Sequence, residues 1–210
     1  MQYFDPLFLG DQDFWGQGNE ATIGFLRQAE IKHGRVAMAA FVGFIVHANG
    51  ITWPFPMRLD GTPWPTADSG PELWDKLPEA SKWQIIFFIG ALEWFDEWQI
   101  SAEGSELNPT ENKPKHYMRG GMPGKFAPFE GLPLPLNLFD PFQLSKKKTE
   151  EQKAKGRIAE VNNGRLAMFG IMGFLAESKV PGSVPFLDQF NLPVYSGDLM
   201  APFSNDFSFF

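Results

Sequence analysis

The chain has 210 residues, no cysteine and a net charge of −7, enough length for one domain with a sizeable core. Its acidic balance and the lack of a basic aromatic patch exclude a nucleic-acid binder; the missing thiols exclude a disulfide framework, a thiolate metal site and a Cys nucleophile. The 22 Phe and 7 Trp are many for a soluble domain, and the mean hydropathy of −0.21 reflects polar loops diluting apolar segments.

The opening MQYFDPLFLG has neither a cationic stretch before an apolar run nor an Arg- and Ser-rich transit pattern. The chain is therefore expected either not to be imported or to have lost its targeting segment. A first helix is expected over about 22–49, stopped by Asn49-Gly50. The loop ITWPFPMRLDGTPWP (Ile51–Pro65) holds too many prolines for a helix and enough aromatics to be ordered. A second helix is expected over about 77–103, with Pro78 in the favoured first turn and WQIIFFIGALEWF (Trp83–Phe95) as its apolar body. GLPLPLNLFDPF (Gly131–Phe142) is again too rich in proline. A third helix, over about 149–179, opens at Thr149 with Gln152 completing a capping box and stops before Pro181-Gly182. No stretch alternates as a strand pair, so residues 1–210 form a single all-α domain.

The first and third helices are about 28 and 30 residues long and reach roughly 40–45 Å, against a bilayer core of about 30 Å. No run of 18 apolar residues occurs, and a soluble three-helix bundle is the competing architecture. The cations favour a membrane. Ten of the 18 Lys and Arg lie between Lys113 and Arg157, against Arg58 and Lys76 in the loop after the first helix and Lys179 after the third. That asymmetry follows the positive-inside rule. It puts the N-terminus and the basic loop on one side of three transmembrane helices, and the two acidic, aromatic segments on the other.

EIKHGRVAMAAFVGF (Glu30–Phe44) and EVNNGRLAMFGIMGF (Glu160–Phe174) are one phrase written twice at an offset of 130. The offset pairs Glu30 with Glu160, His33 with Asn163, Gly34 with Gly164, Arg35 with Arg165, Ala37 with Ala167 and Phe44 with Phe174. His47 then falls opposite Glu177, and FDPL (Phe4–Leu7) is echoed by FDPF (Phe139–Phe142). A repeated helix implies a pseudo-twofold pair with reciprocal contacts, here Glu30 with Arg165 and Glu160 with Arg35. Small residues after each head let the backbones approach. Glu30 and His33 are three apart and share a face, as do Glu160 and Asn163. His47 lies 14 residues beyond His33, about four turns, and Glu177 repeats that spacing from Asn163.

Singly, each of these residues has an ordinary explanation: a satisfied core His, a solvated ion pair, a packing Met. Recurrence of the whole pattern argues against it. Isolated oxygen and nitrogen donors on membrane helices suit magnesium already held in a macrocycle, which needs one axial ligand. His33 and Asn163 bring no charge. A Glu ligand brings a negative charge that is expensive in lipid, and an Arg fork from the partner helix neutralises it.

EIKHGR and EVNNGRLAM resemble the signature of the chlorophyll-binding light-harvesting antenna superfamily, a likeness that extends over all three helices and both FDP segments. The resemblance implies an all-α membrane protein with three thylakoid spans, the first and third crossing as a pseudo-twofold pair. It implies chlorophyll axial ligands at Glu30, His33, Glu160 and Asn163, with carotenoids in the grooves beside the crossing. IGALE resembles the family's middle helix and points to Glu93, with Gln84 as a second candidate there; His47 and Glu177 complete the candidate set. Asp96 stands where plant relatives carry an Arg partner for that Glu, and many relatives have Gln at the position of Glu177. GITWPFPM and KHYMRGGMPG are most similar to the algal chlorophyll a/c branch, and within it to dinoflagellate members. That implies chlorophyll a, chlorophyll c, peridinin and diadinoxanthin, with fucoxanthin as the alternative to peridinin.

The implied partners are a photosystem I or II core, neighbouring antenna subunits and thylakoid lipids, in a plastid membrane with the N-terminus stromal and the C-terminus lumenal. His116 is expected to be a solvated loop residue, with a ligand role as the alternative. The expected function is light harvesting without covalent chemistry. Photoprotective dissipation on the same scaffold is one alternative. A di-iron carboxylate bundle is another, because ExxH on a helix is its motif. That site needs two ExxH motifs, and this chain has one ExxH and one ExxN.

Overall fold

The structure is a computed structural model that describes residues 4–101, 116–126, 140, 142 and 144–199. It holds four α-helices, α1 (Asn19–Ala48), α2 (Gly70–Asp75), α3 (Glu79–Ser101) and α4 (Glu150–Lys179), and no strand among the described residues. Among the described residues no helix is long and apolar enough to cross a membrane.

Local chemistry sets the helix ends. Asp13 prepares the start of α1, three residues ahead of the expected Thr22, by accepting the N–H groups of Gln17 at 2.9 Å and Gly18 at 3.0 Å. At its other end Gly50, with φ at 66°, donates to the His47 carbonyl while Ile51 donates to that of Val46, the pairing of a Schellman stop. The short α2 was not expected from the sequence. Ser69 caps it, accepting the Glu72 N–H at 3.3 Å, and Pro71 sits in its first turn. α4 opens through both halves of the capping box: Thr149 N–H donates to Gln152 Oε1 at 3.1 Å, and Gln152 N–H to Thr149 Oγ1 at 3.4 Å.

The echoed FDP segments fold alike where they are described. Asp5 accepts the N–H groups of Leu9 and Gly10 at 3.0 and 2.8 Å. Asp140 accepts those of Leu144 and Ser145 at 2.8 and 2.7 Å. In both, the donors lie four and five residues after the aspartate. The N–H of Ser145, and behind it that of Leu144, hold the Asp140 carboxyl below its usual range. Phe139 and Pro141 of the second copy lie outside the described residues.

The chain divides into two compact units, Met1–Gly34 with Gly90–Asn162, and Arg35–Ile89 with Asn163–Phe210. In the first, the segment from His116 to Phe126 lies against α1. A Cβ on Gly24 would collide with the Tyr117 carbonyl, and the buried Gln28 accepts the Gly124 N–H at 2.5 Å. In the second, α1 and α4 meet through aromatic rings. Phe174 stacks on Phe41 and on Phe44, with centroids 4.9 and 5.0 Å away. Gly170 permits the contact, since a Cβ there would lie 2.8 Å from the Phe41 ring. Tyr195, also buried, donates to Asp75 Oδ2 at 2.6 Å. Burial first, and then that hydrogen bond, push its pKa up to about 12.

The protein core is small. Among the described residues the buried apolar side chains are Ala21, Ala37, Phe44, Tyr117, Ala167 and Tyr195. Large apolar side chains instead stand exposed along the helices: Val36 and Val42 on α1, Phe87, Phe88 and Trp94 on α3, Leu166, Phe169 and Met172 on α4. A water-facing surface rarely leaves so much apolar area uncovered.

Candidate functional site

At the glutamate, the neutral donor and the first small residues, the two copies of the repeat agree in exposure. Gly34 and Gly164 are buried, as are Ala37 and Ala167; Glu30 and Glu160 are half-buried; His33 and Asn163 are exposed. Each helix therefore turns its small residues inward and presents a neutral donor outward, one turn after a glutamate.

His33 is held in one tautomer. Its Nδ1 lies 2.8 Å from the Ala29 carbonyl. A carbonyl only accepts, so Nδ1 carries the proton and donates. With that nitrogen as the donor, the lone pair of the uncharged ring form lies at Nε2, which is what a metal ligand requires. His33 thus offers one nitrogen donor on an exposed helix face.

His116 is the opposite case. Its Nδ1 accepts the Met118 N–H at 3.2 Å, so Nε2 carries the proton and donates to Glu97 Oε1 at 3.0 Å. Tyr117 donates to the same oxygen at 2.8 Å, and burial, reinforced by Glu97, pushes its hydroxyl pKa up. Both ring nitrogens of His116 are used, and the side chain is buried. This corrects the expectation of a solvated loop residue and leaves no lone pair for a metal. The loop docks on α1 and α3, and docking is what takes His116 out of solvent.

On α3, Glu93 meets a partner from α1. Lys32 Nζ lies 2.6 Å from Glu93 Oε2 and 3.9 Å from Asp96 Oδ2. The Glu93 side chain is 54% exposed and that of Asp96 only 7%, so Glu93 is the one able to meet a further molecule. The sequence left Glu93 without an evident counter-charge, and Lys32 was not among its candidate residues. No local spacing signals a bond between residues 61 positions apart.

Gln84 stands exposed on α3. His47, near the end of α1, borders a cavity of about 440 Å³ whose other walls include Ile51, Trp53, Trp64, Leu73 and Leu77. Glu177 is buried, at 3% exposure. Its oxygens accept the N–H groups of Gly182 at 2.6 Å and Val184 at 2.8 Å. The carboxylate therefore closes the turn that ends α4, which leaves it no open face toward a ligand. Glu30 and Glu160 belong to the first compact unit, and Arg35 and Arg165 to the second. Among the described residues no three His, Asp or Glu side chains gather into a metal-holding group.

The family model described as Chlorophyll A-B binding protein matches residues 1–179. The chain is 32% identical over 196 residues to a fucoxanthin-chlorophyll a-c binding protein, chloroplastic, of Trieres chinensis, a match covering 90% of this chain and 79% of the relative. It is 30% identical over 180 residues to fucoxanthin-chlorophyll a-c binding protein F of Phaeodactylum tricornutum, covering 86% and 75%. It is also 30% identical over 181 residues to the corresponding protein of Isochrysis galbana, covering 85% and 73%. The described residues form helices and no strands, as the scaffold of a light-harvesting protein does. The chain belongs to the chlorophyll A-B binding protein family, an antenna class and not a class of enzymes, with relatives of the chlorophyll a/c branch.

Proposed function

We propose that this chain binds chlorophyll a, chlorophyll c and carotenoid in the plastid thylakoid membrane and passes excitation to a photosystem core, beside neighbouring antenna subunits and thylakoid lipids. The observation that carries it is His33, whose Nδ1–H bond to Ala29 frees Nε2 on an exposed helix face, with Asn163 at the same place in the second copy. Glu30, Glu93, Glu160, His47 and Gln84 complete the ligand set. The carotenoid is peridinin or fucoxanthin, the latter named in the relatives, with diadinoxanthin as a second xanthophyll. Bound chlorophyll supplies the absorption and the energy transfer; the protein supplies donors, spacing and counter-charge.

The same reading makes α1, α3 and α4 membrane spans of one domain, residues 1–210. At 1.5 Å per residue they reach roughly 35–45 Å, more than a bilayer core of about 30 Å. Their average hydropathy is lowered by residues such as Glu30, Lys32, His33 and Arg35, which ligation and pairing would neutralise. The stack of Phe44 on its own copy Phe174 supports a pseudo-twofold relation between α1 and α4, with Arg35 countering Glu160 and Arg165 countering Glu30. The Lys and Arg bias puts the N-terminus in the stroma and the C-terminus in the lumen.

Refolding the chain with chlorophyll a, chlorophyll c and carotenoid tests the function. The expected product binds several chlorophylls per chain, and carotenoid excitation yields chlorophyll fluorescence. A refolded chain that retains no pigment through purification overturns the proposal. Protease added to stroma-side-out membranes should cut between Lys113 and Lys148, whereas cutting at Arg58 reverses the topology.

A further inference from the structure

We infer that Lys32 is the counter-charge that lets Glu93 serve as a chlorophyll ligand, an inference that rests on the ligand reading of Glu93 above. Lys32 Nζ binds Glu93 Oε2 at 2.6 Å, and among the described residues Oε1 accepts no hydrogen bond. One oxygen is thus tied to a cation while the other remains to meet magnesium. A carboxylate's negative charge in a low-dielectric setting is costly unless a cation lies beside it. Within α3 the nearest ionisable neighbours of Glu93 are Asp96 and Glu97, both acidic, and Lys32 lies 3.9 Å from Asp96 Oδ2 as well. The cation therefore lies beside two adjacent acids, 2.6 Å from one and 3.9 Å from the other.

The repeat supports the assignment by where it breaks. Position 32 of the first copy falls opposite Asn162 of the second. Two copies related by a pseudo-twofold have only one α3 to share, so one copy alone has a use for a cation at this position. Lys32 is also half-buried while Asn162 is exposed, as expected if only the first has a partner there.

The test compares Lys32→Gln, Lys32→Arg, Glu93→Leu and the double variant Lys32→Gln with Glu93→Gln. Each is refolded with chlorophyll a, chlorophyll c and carotenoid, and chlorophyll per polypeptide is read by chromatography beside visible circular dichroism. Glu93→Leu and Lys32→Gln should each lose one chlorophyll per chain, with the same dichroic band missing. Lys32→Arg should keep it. The double variant should regain it, because a neutral amide oxygen ligates without a counter-charge, as proposed for Asn163. If Lys32→Gln fails to refold, the Arg and double variants carry the same decision, and failure of both to hold the pigment overturns the inference. If Glu93→Leu loses one chlorophyll and Lys32→Gln loses none, Lys32 is not the counter-charge. If Glu93→Leu keeps the full complement, the ligand reading of Glu93 falls, and the inference with it.

Discussion

Phe44 and Phe174 occupy the same position in the two copies of the repeat, and their rings lie face to face, with centroids 5.0 Å apart and planes 16° from parallel. A residue touches its own copy only close to a twofold axis. Phe174→Ala should therefore loosen α1 from α4 at their shared centre. Truncating a buried Phe costs about 3–5 kcal/mol; Phe174 is half-buried, so the lower end applies. The thermal midpoint of pigment release should fall well below that of Phe174→Leu, and an unchanged midpoint would show that the stack is incidental.

His33→Leu removes the proposed ligand without disturbing the buried face of α1. The refolded protein should lose one chlorophyll and keep its helical content by far-ultraviolet circular dichroism. His33→Asn should retain that chlorophyll, since Asn163 is the same donor in the second copy. Equal loss in both variants would mean that histidine acts there by packing.

Arg35→Leu would leave Glu160 without its proposed partner. Breaking one side of a fully buried pair costs about 3–5 kcal/mol; Arg35 and Glu160 are half-buried, so the lower end applies, still a large share of a typical net stability of roughly 5–15 kcal/mol, and pigment yield should fall sharply. Arg35→Leu with Glu160→Leu should recover much of the yield while lacking one chlorophyll. A single variant that loses one pigment only, with no gain from the double, counts against reciprocal pairing.

Gly24→Ala puts a methyl group into the Tyr117 carbonyl, and backbone does not yield as a flexible side chain does. The segment from His116 to Phe126 should undock, freeing the backbone around the already exposed Arg119 and Lys125 to enter the trypsin active site. The readout is the rate of cleavage at those two residues, expected to rise at least tenfold over the parent, which corresponds to about 1.4 kcal/mol of docking free energy. Unchanged cleavage would place the docking energy elsewhere.

Asp140 gives a pH test with a definite sign. Its carboxyl pKa is lowered in the folded chain by the N–H groups of Ser145 and Leu144. The contribution is therefore full above the unfolded value of about 3.9 and is lost as pH falls through the lower folded value. Hydrogen exchange at Leu144 and Ser145 should show protection across neutral pH that disappears only in strong acid. Asp140→Asn should remove that pH dependence, and an acid transition that persists in the variant would assign it to another group.

The sequence disclosed those parts of the molecule whose causes are local. Thr149 with Gln152 and Asn49-Gly50 mark helix ends because caps act over four or five residues. α2 carried the same kind of signal in Ser69 to Glu72, but six residues with no apolar periodicity did not stand out. The equivalence of His33 and Asn163, both exposed, was legible because the repeat sets them at matching positions. What escaped depends on segments meeting from far apart in the chain. Lys32 and Glu93 illustrate this, as does His116, whose tautomer follows from a docked loop. Glu177 shows the limit of spacing: its distance from Asn163 matches that of a ligand, yet the Pro181-Gly182 turn brings amide groups back onto its carboxylate.

The small protein core bears on when such a chain can exist at all. Folding free energy comes mainly from apolar surface removed from water, and here much of that surface lies on helix faces that the chain itself leaves open. A molecule that binds only the folded form supplies the remainder by mass action. The quantity of this protein that a cell can keep is then governed by the delivery of chlorophyll and carotenoid during synthesis. Polypeptide made in their absence should then accumulate poorly, because its folded form lacks that contribution.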